Sequence, residues 1–287
     1  MSELDPEAAL LRGLHVAAMI SASGALIFAA FITRTHALPA IVARASLLAA
    51  FATGIGWLFL VTQSIVDAGF ADSFAAIPTV VRATQFGQLL SARLALLLAA
   101  VAALRTSRIA LPLLISLAAL LMQPLLGHAG AKGDWALAGT EMLHLLGAAA
   151  WLGGLLPLVL LAARLPALEA VALARRFSPL ALASVVLIAG SAVVQASVLI
   201  GRFAAFITTA YGEAALAKIA LFAALIVLGY LNRFVFIGAL ADRQPEAARR
   251  HLRTSIATET ALGLLVVLAA GFLASLPPAA EAMSMPM

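Results

Sequence analysis

Long apolar runs constrain the fold of this chain more than any other feature. Windows of about 20 apolar residues, the length that crosses a bilayer as a helix, predict eight spans at roughly 9–33, 45–66, 85–104, 109–127, 136–162, 177–200, 214–238 and 255–276. Hydrophobic residues fill 64% of the 287 positions and charged residues 11%, which leaves no room for an ordinary soluble domain. The runs do not alternate as barrel strands would. We predict an all-α polytopic membrane bundle with eight transmembrane helices.

The charges between these runs predict their orientation. Basic residues concentrate after spans one, three, five and seven, whereas the other loops and both termini are neutral or acidic. The basic set is Arg34, His36, Arg44, Arg105, Arg108, Arg164, Arg175, Arg176, Arg243, Arg249, Arg250, His251 and Arg253. The positive-inside rule therefore predicts that these loops are cytoplasmic and that both termini are periplasmic. The net charge of +5 is explained by these loops and by lipid headgroups, so no nucleic acid partner is predicted. The N-terminus has no basic region and no cleavage site, so span one is expected to be retained.

Polar residues recur at matching places in the two halves. His15 in span one recurs as His144 in span five, and Arg93 in span three recurs as Lys218 in span seven. Other recurring residues are Gly24 with Gly153 and Gln63 with Gln195. Each half has an even number of spans, so both halves run in the same sense. We predict two parallel four-helix repeats, residues 1–131 and 132–287.

The recurring polar residues fall in one layer of the outer leaflet. At 1.5 Å per residue, both histidines lie about 10–12 Å below the outer surface and both cations about 13 Å below it. Snorkelling over that distance is a long reach, which favours a paired or ligand-facing role for Arg93 and Lys218. The two glutamines reach the same depth, where interhelical hydrogen bonding explains them. Spans one and five are also rich in small residues, which allow their backbones to approach closely. If these spans cross on the axis between the halves, His15 and His144 face each other.

The available metal ligands are soft. With no cysteine in the chain, only His, Met and carboxylate groups can bind a metal, and thioether plus imidazole suits Cu(I). Met19 lies one helical turn from His15, and Met142 lies two residues before His144 on a different face. The tail ends in Met283, Met285 and Met287, which have no core to pack into. We predict copper ligation by these residues, with core packing as the alternative for Met19 and plain disorder as the alternative for the tail.

A short outer loop joins the halves. Residues 127–135 bring His128 to the surface above His144, and Glu141 shares a helix face with His144 at a spacing of three. His128 and Glu141 predict an outer vestibule for a cation. Hydrogen bonding at the helix end is the alternative.

Several segments resemble the copper resistance protein D (CopD) family. The fairly specific segment is Leu143–Pro157, which places Trp-Leu-Gly-Gly-Leu-Leu-Pro after a membrane histidine. The supporting segments are Gly127-His128-Ala129, Arg176-Phe177-Ser178, Tyr211-Gly212 with Lys218, and Asn232-Arg233. The resemblance implies a bacterial inner-membrane protein that receives copper from a separate periplasmic carrier and moves it toward the cytoplasm. It carries over as ligands only the matched His128 and His144.

Two functions use the same histidines. The leading prediction is a non-enzymatic copper permease in the lipid bilayer, with the oligomeric state open and a homo-oligomer included. Cations beside a cation path are unfavourable unless an anion offsets them, and Glu141 is the only carboxylate near that layer. The alternative is a haem b redox protein, in which His15 and His144 are axial ligands and Arg93 and Lys218 bind the propionates.

Overall fold

The computed structural model describes residues 6–33, 37–106, 108–240 and 243–282. Within these ranges the chain is almost wholly helical and contains no strand, so the predicted all-α class is confirmed. In chain order the helices are α1 (Pro6–Phe31), α2 (Ala37–Val66), α3 (Phe70–Ala83), α4 (Gln85–Ala103), α5 (Ala110–Leu121), a 3₁₀ turn (Gln123–Leu126), α6 (His128–Lys132), α7 (Trp135–Arg164), α8 (Ala167–Leu199), α9 (Ala205–Thr208), α10 (Ala210–Tyr230), a π-helix (Leu231–Leu240), α11 (Pro245–Leu273) and α12 (Ala279–Ala282).

Seven helices in the described ranges are long and apolar enough to cross a membrane. They are α1, α2, α4, α7, α8, α10 with most of the π-helix, and α11, which correspond to seven of the eight predicted spans. The predicted span 109–127 is shorter and interrupted, because α5 ends at Leu121 and a 3₁₀ turn containing Pro124 follows. Proline lacks the N–H that would continue an α-helix. The fold is therefore a multi-pass helical bundle with seven clear candidate spans.

Three helices begin eight to ten residues earlier than predicted. α2, α8 and α11 start at residues 37, 167 and 245 instead of 45, 177 and 255. The prediction that Arg44, Arg175 and Arg250 lie in loops was therefore wrong, since each lies on a helix. An apolar window detects only the part of a helix that suits lipid, whereas backbone hydrogen bonds continue into the polar turns beyond it.

Helix α3 was not predicted, because its sequence lacks a long apolar run. It spans 14 residues in the region read as an outer loop, with Asp72 in its first turn and Arg82 in its last. These charges complement the helix dipole at both ends. Pro78 lies inside the helix, which is short and mostly exposed.

Helices α1 and α7 touch backbone to backbone. A Cβ added to Gly24 would lie 2.2 Å from the Ala149 carbonyl oxygen, and a Cβ added to Gly153 would lie 2.1 Å from the Ile20 carbonyl oxygen. No side chain fits between the helices at this point, so only glycine is tolerated at either position. The close approach expected from the small residues of these two helices is present. It brings the N-terminal parts of α1 and α7, with His15 and His144, into the same region of the bundle.

The helices that carry the two cations begin with the same cap. The Thr84 hydroxyl accepts a hydrogen bond from the Gly87 N–H at 3.0 Å, and the Thr209 hydroxyl accepts one from the Gly212 N–H at 3.0 Å. Both threonines have extended backbone angles, as N-cap residues do. Each cap fixes the start of its helix, and the basic side chain follows nine residues later. The sequence therefore sets both cations at equal depth on their helices.

Candidate functional site

The imidazole of His15 is fully buried and engaged at both ring nitrogens. Its Nδ1 lies 2.7 Å from the Ala50 carbonyl oxygen, and its Nε2 lies 3.5 Å from Nη1 of Arg93. A carbonyl only accepts and a guanidinium only donates. The contacts therefore assign the neutral tautomer with the proton on Nδ1, leaving the Nε2 lone pair directed at Arg93. In this conformation a metal cannot reach Nε2 without displacing Arg93.

The surroundings of His15 close the site further. A Cβ at Gly54 would lie 2.9 Å from Cε1 of His15, so α2 packs directly on the ring. The Trp57 ring lies 5.9 Å from the imidazole, centroid to centroid. Met19, one turn along α1, is 1% exposed and belongs to the main apolar core. His15 and Met19 are near neighbours on α1, as predicted, but both are sealed.

Arg93 is a buried cation with an amide partner. Its Nη1 donates to Oε1 of Gln123 at 2.7 Å, while its Nε and Nη2 have no partner among the described residues. No carboxylate in the described ranges forms an ion pair with it. The glutamine that meets Arg93 is therefore Gln123, which sequence reasoning did not single out. Its signal was a polar residue ending an apolar run just before a proline.

His144 has a similar anchor but an open face. Its Nδ1 lies 3.1 Å from Oγ of Ser191, whose hydroxyl donates to the Leu187 carbonyl oxygen at 2.7 Å. The serine oxygen therefore accepts from Nδ1–H, which leaves Nε2 with a lone pair. Nε2 has no hydrogen-bond partner in the described part of the chain. His144 is the histidine of the predicted pair that offers a free ligand atom.

Two cavities of about 150 Å³ each meet at His144. The first, here called the apolar cavity, runs between α7, α8, α10 and α11. The second, here called the polar cavity, reaches toward α1 and the 3₁₀ turn. Its polar lining consists of Arg12, Gln123, Glu141, His144, Gln195, Tyr211 and Lys218. His144, Gln195, Tyr211 and Lys218 line both cavities. The polar cavity thus unites His144, Glu141 and Lys218, three residues selected from the sequence.

The polar cavity carries more positive than negative charge. Arg12 and Lys218 both interact electrostatically with the Glu141 carboxylate. Nη1 of Arg12 also donates to the Ala274 carbonyl oxygen at 3.1 Å, and its guanidinium lies 5.6 Å from the centre of the Trp57 ring. Sequence reasoning missed Arg12, although it precedes His15 by three residues on the same face of α1. Gln123 connects this cavity to Arg93 and hence to His15.

The remaining predicted ligands lie apart from this cavity or outside the described residues. Met142 is half-buried and lines neither cavity among the residues described. His128 is the first residue of α6, a short helix where a loop was expected, and the direction of its side chain lies outside the description. The predicted tail ligands are Met283, Met285 and Met287, all outside the described residues. Across the described ranges, no three His, Asp or Glu residues cluster closely enough to hold a metal ion.

Of the two glutamines predicted to bond neighbouring helices, Gln195 makes such a contact. Nε2 of Gln195 lies 3.5 Å from the Thr140 carbonyl oxygen, so it links α8 to α7 while also lining both cavities. Gln63 lies half-buried in α2. Of the two predicted glutamines, Gln195 lines the cavity, and Gln123, which was not predicted, lines it as well.

Comparisons with known proteins converge on copper handling. A family described as copper resistance protein D-like, N-terminal domain, matches residues 3–137, and the copper resistance protein D family matches residues 171–273. The copper transport protein CutJ of Bacillus subtilis (strain 168) is 33% identical over 178 residues, which cover 59% of this chain and 31% of the relative. The chain thus matches less than a third of that relative's length. No solved structure is significantly similar to it.

Proposed function

Because the chain belongs to the copper resistance protein D family, we propose that it carries copper into the cell across the bacterial inner membrane, without catalysing a reaction. The observation that carries this proposal is the polar cavity, where the free Nε2 of His144 and the carboxylate of Glu141 line one space. Imidazole is a good ligand for both copper oxidation states. A multi-pass helical bundle provides the lipid-facing surface that such a carrier needs.

We count the short apolar segment as an eighth crossing. The 12 residues of α5 and the four of the 3₁₀ turn together rise about 26 Å, close to the roughly 30 Å of a bilayer core. An even number of crossings puts both termini on the same side of the membrane. The basic loops indicate that this side is the periplasmic one. The matching threonine caps and the glycine crossing of α1 with α7 support a two-repeat layout, residues 1–131 and 132–287.

The proposed route of copper begins at the outer ends of α6 and α12. Lys132 and Glu281 form an ion pair with a nitrogen–oxygen distance of 2.5 Å. Lys132 lies four residues after His128, and Glu281 lies two residues before Met283. Glu281, two residues before the methionine tail, is therefore held beside the helix that begins with His128. We propose that Met283, Met285 and Met287 take copper from a periplasmic carrier and pass it to His128.

From His128 the metal would move to His144 and Glu141 in the polar cavity. Arg12 and Lys218 lower the affinity of this site for a cation, which suits a carrier because a bound ion must also leave. Met142 would join as a ligand after a small rotation of α7. His15 and Met19 would serve only in a second state, in which Arg93 has left Nε2 of His15.

The geometry favours copper over haem. Each cavity has a volume of about 150 Å³, so even together they reach only the lower limit of the range of about 300–1,000 Å³ typical of pockets for larger organic ligands. An axial bond to His15 would also require displacement of Arg93 from Nε2. Arg93 and Lys218 would then be the propionate partners, but Nη1 of Arg93 already donates to Gln123 and faces His15.

Copper binding by His144 tests the proposal. Detergent-purified protein is examined by absorption spectroscopy and titrated with Cu(I) against a chromophoric chelator, and copper uptake is then measured in proteoliposomes. His144→Ala is expected to lower both affinity and uptake. His251→Ala is the matched control, because that exposed histidine stacks on Phe236 away from the cavity. Unchanged binding and uptake in His144→Ala would refute the proposal. A Soret band in the absorption spectrum would indicate that the protein binds haem instead.

A further inference from the structure

A second polar cluster lies deeper in the bundle, away from the copper cavity. Glu259 in α11 is 2% exposed. The polar cavity touches α11 first at Val267, eight residues further along, so Glu259 lies about 12 Å below it along the helix axis. A carboxylate at this depth is costly unless it is paired or protonated. Nothing in the proposed copper route uses this residue.

The partner of Glu259 is an asparagine with unfilled hydrogen-bonding capacity. Nδ2 of Asn232, the second residue of the π-helix, donates to Oε1 of Glu259. Oδ1 of Asn232 is buried without a partner among the described residues. A carboxylate can only accept, so it leaves Oδ1 unsatisfied. A carboxylic acid can donate its O–H to Oδ1 while Oε1 accepts from Nδ2, which satisfies both groups.

One charged group shares the cavity beside this pair. A cavity of about 50 Å³ is lined by Glu259, Asn232, Arg233 and Ser178, large enough for a water molecule. Nη1 of Arg233 donates to Oγ of Ser178, and no ion pair joins Arg233 to Glu259 in the described ranges.

Among the residues that the structure describes, the other elements packed on α11 bring no further titratable group into the cavity wall. α7 contributes Trp151 and leucines, α10 contributes Gly229, and α1 contributes nothing. On α8, Arg175 lies nearby but donates to the Ile237 carbonyl oxygen at 2.9 Å. Arg233 is therefore the cation that an ionised Glu259 would meet.

We propose that Glu259 is a proton-binding site with two states. In the first, the protonated carboxyl forms a reciprocal pair with Asn232. In the second, the O–H bond breaks, a water molecule in the cavity accepts the proton, and the carboxylate pairs with Arg233 across the cavity. In the proposed copper carrier this proton would be a second transported ion, a coupling role that rests on the proposed copper transport. Proton binding itself does not depend on it.

Proton binding is tested without copper by a carbodiimide soluble in the membrane, which modifies protonated carboxyls in apolar surroundings. The purified full chain is labelled across a pH series, and adducts are located by mass spectrometry. Glu259 is expected to be labelled, with labelling lost as pH rises. Arg233→Gln removes the partner of the ionised state, so labelling should persist to higher pH. Absence of an adduct at every pH, or an unchanged midpoint in Arg233→Gln, overturns the proposal.

Glu259→Gln provides a second readout. The amide has a donor for Oδ1 of Asn232 and cannot ionise, so the melting temperature should equal or exceed that of the wild type. A structural carboxylate would instead give a lower melting temperature, which contradicts the proposal. In proteoliposomes that transport copper, Glu259→Gln should weaken the pH dependence of uptake, leaving only the part that protonation of the copper ligands contributes. If wild-type uptake is absent, the copper proposal fails while the labelling result stands.

Discussion

His15 and His144 are placed alike in the two halves of the chain, yet their surroundings differ. Each imidazole is anchored through Nδ1, and each has a cation on a helix that begins with a capping threonine. At His15 the second nitrogen faces Arg93 in a sealed site, whereas at His144 it borders two cavities. The same residue type at matching positions therefore has both ring nitrogens engaged in one half and an accessible nitrogen lone pair in the other.

The difference arises from the partners of the two cations. Arg93 is completely buried and donates to Gln123, so its guanidinium plugs the space beside His15. Lys218 has no such amide partner in the described residues and lines both cavities. A guanidinium with its planar fork can bridge two acceptors, whereas an ammonium group is compact. Arg93 therefore fills the space beside His15, whereas Lys218 leaves the space beside His144 open.

The largest effect is expected where the two halves touch, because this contact holds both histidines in place. Gly153→Val puts a side chain 2.1 Å from the Ile20 carbonyl oxygen, and should cost about 3 kcal/mol or more, enough to prevent folding. Size-exclusion profiles and thermal melts of the expressed protein measure this. Gly190→Val is the control, since a Cβ there meets nothing within 4 Å. A well-folded Gly153→Val protein would refute the backbone contact.

Removal of His15, whose ring is sealed, should mainly lower the stability of the fold. His15→Ala breaks the bond to the Ala50 carbonyl oxygen, takes the acceptor from Arg93 and leaves a cavity. We expect a loss of about 2–3 kcal/mol in the free energy of unfolding, read as a lower melting temperature. Equilibrium Cu(I) affinity should change little. A large loss of affinity at unchanged stability would reverse the comparison.

Removal of His144, which borders the cavities, should mainly lower the affinity for copper. We expect His144→Ala to weaken Cu(I) binding about tenfold or more, equivalent to about 1.4 kcal/mol. Its stability should change by about 1 kcal/mol at most, because the side chain already borders a cavity. Reaction with diethylpyrocarbonate sharpens the contrast in the wild type: His144 should be modified well before His15. Equal rates at the two histidines would show that His15 is also open.

The smallest effect is expected at Lys218, the buried cation that lines both cavities. Lys218→Gln removes a positive charge from the wall that contains Glu141, and should raise Cu(I) affinity about threefold, or about 0.7 kcal/mol. Arg105→Gln makes the same charge change at an exposed position outside the cavity and should have no effect. Weaker copper binding in Lys218→Gln would mean that the lysine holds an anion that copper requires.

Hydropathy and residue spacing were sufficient to predict the helices but not the contacts that side chains make between helices. The apolar runs located seven spans, and helix rise placed Arg93 at the depth of His15, where the two side chains meet. Small residues indicated the crossing of α1 and α7. These features depend on the local sequence and on the bilayer thickness, so a single sequence contains them.

The remaining features depend on tertiary packing. The choice of Gln123 rather than Gln63 as the partner of Arg93 depends on how the 3₁₀ turn after α5 meets α4, which spacing within one helix does not reveal. Arg12 lies near the outer end of α1, and its anchor is the Ala274 carbonyl oxygen at the end of α11, which the sequence around Arg12 does not reveal. The sealing of His15 and the exposure of His144 follow from the same inter-helix geometry.

The glycine contact between α1 and α7 also limits how the bundle can move. With backbone against backbone at Gly24 and Gly153, the helices cannot approach further, but they can tilt about the point of contact. His144 lies nine residues to one side of Gly153, an arm of about 13 Å, and the rest of α7 extends to the other side. Tilting that widens the gap on the His144 side narrows it on the opposite side. In the proposed copper carrier, α7 would act as a lever on this contact, so that the two sides of the membrane would open in turn rather than together.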